Sequence, residues 1–459
     1  MTQHNCCNNY TRSQLMRESV ARAAEAGKGL PAIENGMPVP AGTGLSRRTF
    51  LSRSAGLAMA VYGATRLPLA AFEEGIAHAA TNGKVLVSIF FDGGIDSMSL
   101  LAPTGHPQYA GLRPTLALAP DPSRAFSEDP TLQWHPSAEG LRTLHGEGKV
   151  STFPAIGYTS PNQSHFTSRH FYEIGELEIG ARTGWLGRYL DRQGNDDNPL
   201  QGLSLDGTLS PALATADKPV AAVSDVTDYD MWTHGMGDPV EPRMFEAFGN
   251  FGEFASDSPG MTQTRRATAQ TEKLRQDLAS FSNFPIPPVY PNTSFARKLA
   301  GIAEMLDRGM PLSCISVSAP GGYDTHSSQE QAFDVNLDRT CDAVLAFQRD
   351  LEAKGLAHNV LMEMWSEFGR RPDENGSAGT DHGAGGCAFI VGTRAQGEMV
   401  GEFPGLASLD EDENLHWTAD FRAMYAALID QWLEDDPDAV IPDLSEAGPI
   451  PTLVKPPGP

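Results

Sequence analysis

VLMEMWSEFGRRPDENGSAGTDHG, residues 360–383, is the stretch whose reading decides the fold. Val360 to Trp365 is an apolar run of strand length that stops at Ser366-Glu367. A polar, glycine-bearing loop follows and ends in Asp381-His382. Open α/β sheets build their sites in this way, with strands delivering polar residues to loops at their carboxyl ends. Upstream, Leu312–Ser318 (LSCISVS) is a second buried-strand candidate that ends in GGYDTH. Between the two lies a helical stretch with apolar residues at Leu337, Cys341, Val344, Leu345 and Leu351, and Gly355 where a C-terminal cap belongs. Strand, helix, strand predicts a parallel crossover with both carboxyl ends at one edge. Asp324 and His326 would then lie beside Glu367, Asp381 and His382.

The same logic runs earlier in the chain. Val85 to Phe91 is an apolar, β-branched and aromatic run broken only by Ser88, the mark of a strand buried on both faces, and leads into Asp92-Gly93-Gly94-Ile95-Asp96. Pro136–Gly148 reads as a short helix, and Val150–Gly157 as a further strand despite Pro154, ahead of Ser164-His165-Phe166. Asp92 or Asp96 would thus approach Ser164 and His165. Helices are expected over Thr183–Arg192, Thr264–Phe281 and Thr293–Arg308, and a short strand over Cys387–Val391. Residues 226–262, rich in Asp, Gly, Pro and Met, read as an irregular insertion.

The 459 residues carry a formal charge of −24, with no basic stripe to offset repulsion from phosphate backbones, which excludes a nucleic-acid binder. The 40% hydrophobic content suffices for a large core. Cys314, Cys341 and Cys387 are too widely spaced for a zinc-cysteine site and read as buried thiols.

Ser46-Arg47-Arg48-Thr49-Phe50-Leu51 matches the twin-arginine export pattern; an apolar run from Ala55 to Ala71, broken by Arg66, and Ala77-His78-Ala79 follow. A membrane-spanning helix needs about 20 apolar residues, which this run does not supply. The expected organisation is an N-terminal extension and signal over 1–80, an α/β domain over 84–436, and a proline-rich tail over 437–459. The expected partner is the twin-arginine export machinery, the destination periplasmic or extracellular, without a stable membrane anchor.

Histidines mixed with carboxylates suit a divalent metal ion such as Zn, Mn, Mg or Ca. A hydroxyl beside such an ion is the arrangement for phosphoryl or sulfuryl transfer. Ser164 is the candidate nucleophile, with Thr159 and Ser160 as alternatives, or else it caps the helix that follows. A metal-free serine hydrolase would want a G-x-S-x-G elbow, which Asn-Gln-Ser-His-Phe lacks. His165 is a candidate ligand, proton donor or buried structural histidine. Arg370 could clamp an anionic group bidentately, or pair with Glu367.

Several short motifs in order carry a family resemblance: GGIDSMSLLAP, YAGLRPTLAL (109–118), Trp134–His145, Ser164-His165-Phe166, GYDTH, SEFGR, GTDHG and TADFRAMYAALIDQWL (418–433). With the twin-arginine signal they make the chain resemble the exported bacterial family catalogued as domain of unknown function 1501, over roughly 84–436. That family is similar to the alkaline phosphatase and sulfatase superfamily, which implies a three-layer α/β sandwich around a mostly parallel sheet. Carried onto this sequence, the resemblance makes Asp96 or Asp92 the first acid and Ser164 the nucleophile. It places Asp324, His326 and His382 in one metal site, with Glu367 as an acid of another and Asp381 nearby. Glu367-Phe368 stands where the superfamily usually has Asp-His, and Asp324 and His326 are two apart where four is commoner. The implied activity is hydrolysis of a small anionic phosphate or sulfate ester. The alternative is a non-catalytic binding or assembly protein on the same fold.

Overall fold

Alternation along the central strand shows how the molecule is layered. In β1 (Val85–Phe90), Val85, Val87 and Ile89 enter one apolar core while Leu86 and Phe90 enter another on the opposite face. A strand buried on both faces is near-continuously apolar, as this one is apart from Ser88. The computed structural model describes residues 83–226, 240–252, 254, 259–279, 281 and 284–456. The export motif at 46–51, the apolar run after it, Cys6 and Cys7 and part of the 226–262 insertion lie outside those residues.

The remaining strands of the main sheet are β2 (Val150–Gly157), β3 (Gly202–Ser204), β4 (Ala221–Ala222), β5 (Cys314–Ser318) and β6 (Val360–Trp365). A separate hairpin, β7 (Arg370–Glu374) and β8 (Thr380–His382), precedes β9 (Gly386–Val391) and β10 (Ala419–Asp420). The eight-stranded sheet has the order β10-β2-β9-β6-β1-β5-β3-β4. Every pairing is parallel except those of β9, which runs antiparallel to both β2 and β6. The expected crossover from β5 to β6 is parallel, and β1 lies between the two strands. Pro154 sits where the β2–β9 register shifts, between the Phe153–Ala388 and Ile156–Gly386 pairs, so its missing N–H breaks no regular ladder.

Among the described residues there are eight longer helices: α1 (Glu139–Gly146), α2 (His165–Ile174), α3 (Trp185–Gln193), α4 (Val240–Gly252), α5 (Pro259–Ala279), α6 (Ser294–Asp307), α7 (Gln329–Ala353) and α8 (Phe421–Leu428). Apolar residues of α1, α5, α6 and α7 fill one core, and those of α2, α3 and α8 the other. The architecture is a three-layer α/β sandwich around a mostly parallel sheet. Helix α7 begins eight residues before the first of the apolar positions read from the sequence, and Gly355 follows it with φ +72°. The 370–382 stretch, read as loop, is the β7–β8 hairpin. Residues 437–456 pack against the second core through Val440, Ile441, Leu453 and Val454. Cys314, Cys341 and Cys387 are buried free thiols. Among the described residues no helix is long and apolar enough to cross a membrane.

Candidate metal centre

Because β1, β2, β5 and β6 point the same way, the loops after them meet at one edge, where β9 begins. The loop after β2 leads to His165, the first residue of α2. The loop after β5 carries Asp324 and His326, β6 is followed by Glu367, and β8 ends in His382. The Asp92-Gly93-Gly94 turn after β1 supports this edge through its backbone. Gly93 adopts φ +107°, and a Cβ there would meet the Asp324 amide nitrogen at 2.5 Å, so only glycine lets the two loops approach.

His165, Asp324 and His382 each present one ligand atom, all within 4.8 Å of one another. Asp324 Oδ1 lies 3.4 Å from His165 Nε2, 3.3 Å from His382 Nε2 and 3.0 Å from His326 Nε2. The Nε2 atoms of His326 and His382 are 3.0 Å apart. Each ring is oriented by an acceptor at its other nitrogen. His165 Nδ1 faces Glu367 Oε1 at 2.7 Å, His326 Nδ1 faces Asp381 Oδ1 at 2.9 Å, and His382 Nδ1 faces the Gln163 carbonyl at 2.8 Å. Acceptors at Nδ1 favour the tautomer with hydrogen there, which turns three Nε2 lone pairs toward one carboxylate oxygen. Two nitrogen lone pairs at 3.0 Å repel unless a proton or a cation lies between them. His165 Nε2 is buried and has no hydrogen-bond partner of adequate geometry.

These residues fit a divalent ion. Tetrahedral ligands at zinc's usual bond lengths stand about 3.3 Å apart, close to the distances from Asp324 Oδ1 to the three Nε2 atoms, and each candidate histidine has the outer partner that metal-binding histidines carry. His165, Asp324 and His382 are the compact candidate ligand set, with His326 beside Asp324 and His382 as a further candidate.

Protons compete with a metal for these atoms, since a ligating histidine must be neutral. Burial alone would raise the Asp324 carboxyl, but the surrounding imidazoles, when protonated, and Arg370 hold it far below the usual carboxylate range. Burial opposes the imidazolium of His165, yet the Asp324 and Glu367 carboxylates outweigh it and raise the group to about 9. Asp324 likewise raises His326. His382 is lowered, by burial and by the charges of Arg370 and His165, despite Asp324. Glu367 stays ionised against complete burial through His165 and backbone N–H groups.

Of the residues singled out in the sequence, the structure brings together His165, Asp324, His326 and His382, with Glu367 and Asp381 behind them as orienting carboxylates. Glu367 is fully buried and accepts from Gly93 N–H at 3.0 Å as well as facing His165. Asp96 is not in the cluster. It is buried, caps residues 97–100, and forms a two-pronged ion pair with Arg113 at 2.5 and 2.9 Å. Asp92 is exposed, its carboxylate 3.7 Å from Arg169. Arg370 does not offer a free clamp, because its donors bind the carbonyls of Gly93, Gly94, Tyr323 and Thr380 and the Asp324 carboxylate. It ties three loops together and leaves Glu367 to His165.

Ser164 is the N-cap of α2, but its hydroxyl makes no capping hydrogen bond. It stands between Gln163, whose carbonyl orients His382, and His165. Thr159 and Ser160 are exposed on the preceding turn. Sequence reasoning missed Gln163, which acts through its backbone and leaves no side-chain signal. It also missed Asn375, whose amide holds Asp381 at 3.1 Å and the His326 carbonyl at 2.9 Å.

No curated protein matches the sequence. The fold is similar to that of a protein in the alkaline phosphatase superfamily from Vibrio parahaemolyticus, with 11% identity over 84% of this chain and 71% of that one and a TM-score of 0.37. It is also similar to the PsFucS1 sulfatase from Pseudoalteromonas sp., with 11% identity, coverage of 85% and 78%, and a TM-score of 0.31. A third likeness is to the C-terminal periplasmic domain of EcEptC from Escherichia coli, in a complex with Zn, with 9% identity, coverage of 77% and 84%, and a TM-score of 0.33. The model of the family described as Protein of unknown function (DUF1501) matches residues 157–430. That span runs from the end of β2 past the whole candidate centre and through α8, and is more than half of the chain, which therefore belongs to this family.

Proposed function

We propose that the protein is an exported, metal-dependent hydrolase of phosphate or sulfate esters, with His165, Asp324, His326 and His382 holding one divalent ion. The observation that carries the reading is the convergence of three anchored imidazole nitrogens on Asp324 Oδ1. A bound ion would supply Lewis acidity, lowering the pKa of a nearby hydroxyl and screening charge on the transferred group. The chain's own residues orient and hold. Glu367, Asp381 and the Gln163 carbonyl fix the three rings, and Arg370 fixes Asp324. Ser164 is the nucleophile: its Oγ bonds to phosphorus or sulfur, the ester oxygen leaves with a proton, and water then cleaves the seryl ester. The site is open to an anionic ester, since the Asp324 and His326 side chains are about one-third exposed. The Arg47-Arg48 signal supports export through the twin-arginine machinery to the periplasm or beyond.

A second reading rests on the same atoms. Four protein ligands can close a tetrahedral sphere, as structural metal sites do, which favours a non-catalytic binding or assembly protein. Elemental analysis of protein purified without chelator or His tag, alongside the Asp324→Ala/His382→Ala variant, tests the centre. An aryl phosphate, phosphodiester and sulfate screen then separates the readings. One equivalent of metal lost in the variant, with turnover in the wild type, is the expected result. Metal without turnover selects the binding protein, and no stoichiometric metal in either sample refutes both metal readings.

A further inference from the structure

Asp96 and Arg113 form a buried ion pair beneath the candidate centre, and one residue connects it to the loops that carry the ligands. Gln329, the first residue of α7, is 1% exposed. Its Nε2 donates to Asp96 Oδ2 at 2.5 Å and Ser99 Oγ at 3.1 Å. Its Oε1 accepts from the Thr325 and Thr380 hydroxyls, each at 2.8 Å. Two donors and two acceptor positions are therefore all in use, which is the full capacity of an amide. Thr325 lies between Asp324 and His326, and Thr380 immediately precedes Asp381-His382. The Gln329 backbone N–H also bonds the Ala378 carbonyl at 2.9 Å, and Thr380 N–H bonds the Thr325 carbonyl at 3.0 Å. From the other end of the ion pair, Arg113 donates to the Pro372 carbonyl at 2.9 Å and the Arg371 carbonyl at 3.0 Å, on the opposite strand of the hairpin.

We propose that Gln329 is a positioning residue for the metal centre, setting the 323–326 loop against the 380–382 strand so that His326, His382 and Asp324 converge. This rests on the metal-centre reading above. The chemistry needs an amide at this place. A hydrocarbon would leave the two threonine hydroxyls and Asp96 Oδ2 without their shared partner, and a carboxylate would face Asp96 with like charge. The ligand atoms sit on separate loops and have little tolerance, because metal–ligand distances hold to about 0.2 Å. Loss of the bridge between the loops therefore acts on metal affinity, beyond any effect on stability.

The test is a Co²⁺ titration of the metal-stripped full chain, read by visible absorption and by a competing chelator. Gln329→Met keeps the volume and removes the amide. Gln348→Met is the matched control. It makes the same change at a fully buried glutamine of the same helix, whose amide bonds Glu352 and Thr393, away from the centre. Loss of an outer-shell partner typically weakens metal binding 10–100-fold, so Gln329→Met should raise the Co²⁺ dissociation constant at least about tenfold and alter the absorption bands. Gln348→Met should lower only the unfolding midpoint. If Gln329→Met does not fold, Gln329→Ala is read in its place, since Gln329 lines a cavity of about 210 Å³ and water entering the truncated space can meet the polar groups left behind. Unchanged affinity and spectrum, or the same affinity loss in the Gln348 control, overturns the positioning role. A wild-type chain that takes up no Co²⁺ overturns the metal reading itself and this proposal with it.

Discussion

Replacing Glu363 by glutamine should stabilise the protein progressively, relative to wild type, as pH rises from 5 to about 8. Glu363 lies in the middle of β6, on the face that receives α2, α3 and α8, and is 0% exposed. Both carboxylate oxygens are buried without a hydrogen-bond partner. Burial pushes the group up to about 8, which the Ser88 hydroxyl opposite it on β1 only partly offsets. The unfolded chain titrates at its ordinary value of 4.5. Between these values the unfolded state has released its proton while the folded state retains it. Stability from this group is therefore complete below the unfolded value, falls as pH rises through the window, and levels off above about 8. At about 1.4 kcal/mol per unit, the loss is on the order of 3 kcal/mol at neutral pH and 5 kcal/mol at the plateau. The glutamine side chain carries no charge at any pH, although its buried amide costs about 1–3 kcal/mol if unpaired. Urea unfolding of wild type and Glu363→Gln at pH 5, 7 and 8.5 checks this. The variant should gain on wild type by several kcal/mol across the series, whatever its offset at pH 5. Parallel stability curves would show that Glu363 is not held protonated, and the reasoning would fall.

Three further outcomes follow from the site. Ser164→Ala should abolish ester hydrolysis while retaining the wild-type metal content, and surviving turnover would remove Ser164 as the nucleophile. Arg370→Ala leaves four backbone carbonyls and Asp324 without their shared donor, so chemical denaturation should show a loss on the order of 3–5 kcal/mol; a change under about 1 kcal/mol would mean that the guanidinium does not organise the loops. Chelation should lower the unfolding temperature, since an ion present at a hundred times its dissociation constant contributes about 2.7 kcal/mol. An unchanged melting curve in excess chelator, with metal shown to be removed, would mean that the ion does not brace the fold.

Much of the scaffold was legible because strands buried on both faces are near-continuously apolar. The runs at 85–90, 150–157, 314–318 and 360–365 stand out for that reason, and their common direction follows from the crossover rule. It was therefore readable that Asp324, His326, His382 and His165 share an edge. The short strands at 202–204 and 221–222 were not readable, being too brief for any periodicity. Nor was the β7–β8 hairpin, whose polar sequence is organised by Arg370 and Asn375 reaching across to other loops.

The sequence by itself determined the layered α/β core and the set of polar side chains delivered to one edge, because hydrophobic alternation and strand direction are local properties. Only the tertiary structure decided what each of those side chains does. Asp96 looked like a ligand by its place after β1, yet a buried arginine 17 residues away and a glutamine 233 away take its oxygens. Glu367 became an orienting partner because His165, 202 residues distant, turns Nδ1 toward it. The role of an acid is set by which donor its lone pairs meet, and those donors come from loops that only folding brings together.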